Sequence, residues 1–157
     1  VILVRQALKA DGTARKEIYD LYLSHTRFIN GWDLVDASAP TIVGGYLVDR
    51  SCKPLDRLAG SKLLWERRIS IIATLHFIRM SDFADTLRIA EQLLGDREDL
   101  IHKAAGWMLR EVGKCDEPTL ERFVRRHAAR MPRTMLRYTI ERFPDEKRKA
   151  ILRGDVT

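Results

Sequence analysis

Helical periodicity runs through almost the whole chain, and no stretch alternates apolar and polar residues for long enough to make a strand. This confines the chain to an all-α fold, because an amphipathic helix is stable only where another helix covers its apolar stripe. Ile18, Leu21 and Tyr22 mark one such stripe over residues 17–25. Trp65, Ile69, Ile72, Leu75 and Ile78 mark a longer one over 64–78, with Ser61 as its N-cap. Further helices are predicted over 83–94, from a Ser81 or Asp82 cap to Gly95, and over 100–112, from Asp99 to Gly113. Another spans 117–129, with Pro118 in its first turn and Pro132 beyond its end; two more cover 134–143 and a short segment after Pro144.

The polar turns between these segments are short, so consecutive helices pair antiparallel. Trp65-Glu66-Arg67-Arg68-Ile69 is echoed by Leu100-Ile101-His102-Lys103-Ala104 at a shift of 35 residues, and Pro132-Arg133-Thr134 falls about one helix pair later. That is the period of a HEAT-type array. The expected architecture is a single all-α domain over residues 1–157, with HEAT-like helix pairs forming a curved α-solenoid. In such an array Arg68, Lys103, Arg133 and Arg137 line one concave side.

A chain of 157 residues with 45% apolar and 32% charged side chains can bury a core unaided by metals or disulfides. Its net charge of +6 is uneven: residues 1–60 carry 8 basic against 7 acidic side chains, residues 122–153 carry 11 against 3. The C-terminal excess suits a polyanion, whose condensed counterions it would release, or simply a solvated face. Cys52 and Cys115 are isolated, without metal-ligand spacing or a disulfide framework, and a reducing cytoplasm is expected. No run is apolar enough to span a bilayer, and no secretory leader pattern opens the chain. His25, His76, His102 and His127 are dispersed, and no zinc-protease, nucleophile-elbow or phosphate-loop pattern occurs. His76 reads as a core or edge residue, and Met108, Met131 and Met135 as core filler.

The least generic stretch is Asn30-Gly31-Trp32-Asp33-Leu34-Val35-Asp36-Ala37-Ser38-Ala39-Pro40. Trp32 and Asp36 are one helical turn apart on one face, and Pro40 is expected to close the helix. Gly44-Gly45 then either loosens the next helix or packs it tightly. A carboxylate beside an aromatic wall can stabilise a sugar oxocarbenium ion as a glycosidic bond breaks, without a second acid if the leaving group is already cationic. Equally, Trp32 can anchor the core while Asp36 caps a helix or pairs with an arginine. Trp107 follows Gly106, whose small size is expected to let a ligand approach, and precedes Arg110. Trp65, in phase with Ile69 and Ile72, reads as core.

These segments carry a family resemblance. Trp32-Asp33-Leu34-Val35-Asp36, Leu64-Trp65-Glu66-Arg67-Arg68 and His102-Lys103-Ala104-Ala105-Gly106-Trp107-Met108-Leu109-Arg110-Glu111 occur in the order found in the HEAT-like glycosylases of the DNA alkylation repair family. The chain resembles that family from about residue 28 to 114, and more weakly through Met131-Pro132-Arg133-Thr134. The resemblance implies hydrolysis of N3- or N7-alkylated purines from duplex DNA in base-excision repair, by a monomer needing no metal or organic cofactor. By position it implies Asp36 as the catalytic carboxylate, Trp32 and Trp107 as the indoles flanking the damaged nucleotide, and Arg68 as a DNA contact. Lys103, Arg110, Arg133 and Arg137 are the accompanying phosphate contacts. Two departures stand out: only about thirty residues precede the Trp–Asp segment, where the family usually has further helices, and Gly31 occupies a position that is aromatic in some members. Two other readings remain, a non-catalytic HEAT-like nucleic-acid-binding module and a protein-interaction solenoid.

Overall fold

The computed structural model describes residues 2–155, and among them every regular element is helical. In chain order these are α1 (Ile2–Lys9), α2 (Gly12–Ser24), α3 (Trp32–Ala39), α4 (Gly45–Leu47), α5 (Lys53–Ala59), α6 (Leu64–Ala73), α7 (Leu75–Ile78), α8 (Ala84–Gln92), α9 (Asp99–Cys115), α10 (Glu117–His127), α11 (Arg133–Thr139) and α12 (Asp145–Arg153). Side-by-side contacts run α3 to α6, α6 to α9 and α9 to α11, making one layer; α5, α8 and α10 pack behind as a second. The core between them is aliphatic, with Val35, Leu55, Ile69, Ile72, Ile89, Ile101, Leu109 and Ile140 sealed from solvent. Met108, Met131 and Met135 are buried in it as expected, and Trp65 packs half-buried against it.

Local chemistry explains where the helices begin and end. Asp11 caps α2, accepting the Ala14 N–H at 3.0 Å, so this helix starts a turn and a half earlier than its apolar stripe suggests. Ser61 is not the cap of α6; its Oγ accepts the Leu63 N–H at 3.0 Å and shapes the turn before it. The helix expected over 64–78 breaks at Thr74, whose hydroxyl and N–H both turn back to the Ile71 carbonyl. Asp116 caps α10 through the Thr119 N–H at 3.1 Å, with Pro118 in the first turn.

Gly113, Pro40 and Gly106 depart from their sequence reading, and Gly44 takes the close-packed of its two alternatives. Gly113 does not stop α9, which runs to Cys115; a Cβ there would strike the Leu120 side chain of α10. Pro40 does not close its helix: the backbone widens into a π-turn over Pro40–Gly44, with the Gly45 N–H reaching the Pro40 carbonyl, and continues into α4. That wide turn seats on the end of α6 because Gly44 has no Cβ to strike the Ala73 carbonyl or His76. Gly106 likewise serves helix packing and leaves no room for a ligand, since a Cβ would lie 2.6 Å from the Met135 carbonyl and 2.5 Å from Tyr138 Cβ on α11.

Candidate functional site

Asp36 projects from α3 toward α6, where Arg68 meets it with a two-pronged ion pair: Nε to Oδ1 at 2.9 Å and Nη2 to Oδ2 at 2.8 Å. Nη1 of the same guanidinium donates to the Leu100 carbonyl in the first turn of α9, at 2.6 Å. One arginine thus ties three neighbouring helices, and its side chain is only 6% exposed. Its neighbour Arg67 reinforces the seam, donating to Asp96 just before α9 at 2.6 Å. Arg68 does not line an open concave side; the planar fork that suits a carboxylate has drawn it between the helices.

Asp36 keeps 16% of its side-chain surface in contact with solvent. Each oxygen accepts one guanidinium N–H, which leaves lone pairs of a carboxylate for another partner. Behind it, the buried Tyr22 hydroxyl pairs with Ser38 Oγ at 2.8 Å. Burial, opposed by that bond and aided by the Asp36 charge, pushes the phenol up to about 12. Pro40 has no N–H to offer the Asp36 carbonyl, so the backbone at this position loses its usual helical donor. Glu66, on α6 beside the arginines, accepts the buried Thr26 hydroxyl at 2.5 Å and fixes the segment leading into α3.

The indoles differ. Trp32, one turn before Asp36 at the start of α3, is 58% exposed, far more than a core anchor would be. Trp107 is half-buried on α9, seven residues or about 10 Å along the helix from the Leu100 carbonyl that Arg68 holds. Neither ring is sealed in the interior. Its N–H donates to Glu111, a residue that sequence reading left without a role, although the one-turn spacing carries the signal.

The cations expected at phosphates fare unequally. Lys103 forms an exposed one-turn pair with Asp99 at 2.7 Å, and Arg137 on α11 is exposed with no ion pair among the described residues. Arg110 pairs with Glu141, and Arg133 donates to the Leu152 carbonyl at 2.6 Å, capping the last turn of α12. Much of the C-terminal positive charge is spent elsewhere: Arg122, Arg125 and Arg126 sit on α10 in the second layer. Among the described residues no cluster of three metal-ligating side chains occurs, and no helix is long and apolar enough to cross a membrane.

Comparison with known proteins gives one finding: a family model described as DNA alkylation repair enzyme matches residues 2–143. No curated protein and no solved structure matches the chain.

Proposed function

Because the chain belongs to the DNA alkylation repair enzyme family, we propose that it hydrolyses the N-glycosidic bond of N3- or N7-alkylated purines in duplex DNA, with Asp36 as the catalytic carboxylate. In this reading the two helical layers are a HEAT-like solenoid, and the layer containing α3, α6, α9 and α11 faces the duplex. The single observation that carries it is the setting of Asp36: a carboxylate held in one orientation by a buried guanidinium, with an edge open to solvent and an exposed indole one turn away.

The chemistry needs little more. An alkylated purine carries a formal positive charge, so when the bond from C1′ to the base breaks, its electron pair leaves with a neutral base. The sugar is left as an oxocarbenium ion, which the free lone pairs of Asp36 stabilise. Water adds to C1′ and gives up a proton, for which the same carboxylate is the acceptor. Arg68 prevents the carboxylate from rotating away, a positioning role. Trp32 and Trp107 hold the deoxyribose through contacts with their faces, each contributing on the order of 1–2 kcal/mol when desolvated. Lys103 and Arg137 are the cations best placed to meet phosphates, because one is held only by an exposed one-turn pair and the other has no ion pair among the described residues.

The test is release of labelled 7-methylguanine from methylated duplex. The wild-type chain releases the base; Asp36→Asn binds duplex within a few-fold of wild type and releases none. A second reading has its own support, since both Asp36 oxygens are already engaged by Arg68, as in a purely structural ion pair. A non-catalytic nucleic-acid-binding module would bind duplex with steep salt dependence and release no base.

A further inference from the structure

Trp107, Glu111 and Lys114 form a ladder along one face of α9. The indole N–H donates to Glu111 Oε1 at 2.9 Å, and Lys114 grips the same carboxylate through both oxygens, at 2.6 and 2.7 Å. The Glu111 side chain is only 17% exposed, more shielded than an ordinary surface glutamate pairing with a lysine. Nothing comparable restrains Trp32, whose N–H has no hydrogen-bond acceptor among the described residues.

We infer that Glu111 is a positioning residue that clamps the Trp107 indole in one rotamer ahead of substrate binding. An indole turns about two side-chain bonds, and the outer one has two broad wells. In one well Nε1 meets Glu111; in the other the N–H loses an anionic acceptor, a bond about twice as strong as a neutral one. Lys114 matters because it anchors the carboxylate, so the acceptor does not follow the ring. The ladder is referenced to the rest of the site through Gly106, one residue before Trp107, which lets α9 lie directly on α11. Trp107 is therefore a pre-set wall, whereas Trp32 is exposed and without such a clamp among the described residues. A wall that is already in place costs no ordering when the sugar arrives, and that gain appears in the chemical step. The inference rests on the glycosylase reading only for this last consequence.

Two measurements on Glu111→Ala and Glu111→Gln test it. In the first, 5-fluorotryptophan is incorporated into the full chain, and Trp107→Phe assigns its fluorine NMR signal. Glu111→Ala shifts and broadens that signal, while Glu111→Gln, whose neutral amide oxygen still accepts the N–H but is no longer gripped by Lys114 through two oxygens, falls between Glu111→Ala and wild type. An unmoved signal in Glu111→Ala overturns the clamp. In the second, single-turnover release of 7-methylguanine slows about tenfold in Glu111→Ala with duplex Kd within twofold, and Glu111→Gln recovers part of the rate. Equal losses in both variants, or a change in Kd alone, overturn the positioning role. If the wild-type chain releases no base, the glycosylase reading fails, and the fluorine measurement alone decides the clamp.

Discussion

The Asp36–Arg68 pair makes an unequal demand on its two members, and a double-mutant cycle exposes it. Arg68 is almost wholly buried and uses three N–H groups on two helices, whereas Asp36 retains an edge in water. Asp36→Asn leaves a buried cation without its anion, for which the cost of breaking such a pair is about 3–5 kcal/mol. Arg68→Met removes the cation and leaves a carboxylate that water still reaches, at a lower cost of about 1–3 kcal/mol. In the double variant neither charge is stranded, so its cost stays near the smaller single value, and the coupling energy approaches the larger one, about 3–5 kcal/mol. For a chain of this length each kcal/mol moves Tm by about 2–4 °C, so Asp36→Asn melts roughly 6–20 °C below wild type. Urea denaturation followed by circular dichroism measures all four proteins, with an unchanged m-value as the check that only stability moved. Costs that add to within about 0.5 kcal/mol would show that the two side chains are independent, and would remove the physical basis for a carboxylate held in place by Arg68.

Three further outcomes are expected. Gly44→Ala and Gly106→Ala each force a methyl against a backbone carbonyl that cannot swing aside, and each lowers stability by about 1–3 kcal/mol; Gly95→Ala, with open space around it, costs nothing measurable or adds a few tenths. His127 is buried with its Nδ1 unbonded, and desolvation, opposed by Glu91 and helped by Arg126 and Arg130, lowers its pKa. The folded state therefore disfavours the proton that the unfolded chain accepts, so stability is full above the ordinary histidine value near 6.5 and declines as pH falls from there through the lower folded value. His127→Phe flattens that part of the stability profile, and an unchanged slope would show that another group carries it. For duplex binding, Lys103→Ala and Arg137→Ala each reduce the slope of log K against log salt by about one, while Arg133→Ala, already committed to the Leu152 carbonyl, leaves it nearly unaltered.

How much of this was legible beforehand depended on the range of the interaction responsible. Stripes such as Trp65, Ile69 and Ile72 and first-turn prolines such as Pro118 act within one or two turns, so the helices from α6 onward were readable from spacing, apart from the break at Thr74. α1 and α5 were missed, and length is not the reason, since the seven-residue α11 and the eight-residue α3 were read as helices. The Trp32–Asp36 turn was likewise local, and with the later blocks it sufficed for the family.

The sequence by itself determined the helical class, the family and the candidate acid, because periodicity, capping and a one-turn spacing are properties of consecutive residues. Only the tertiary structure decided which cations are committed and which remain open. It sent Arg68 inward to Asp36 and the Leu100 carbonyl, tied Arg133 to the end of α12, and left Arg137 exposed on α11. It also turned Gly106 and Gly113 from a ligand gap and a stop into contact points between helices, and chose close packing over loosening at Gly44. For the arginines, Gly44 and Gly106 the physical reason is the same: a guanidinium finds its acceptors, and a missing Cβ its neighbour, on another element far along the chain, where no local pattern records the encounter.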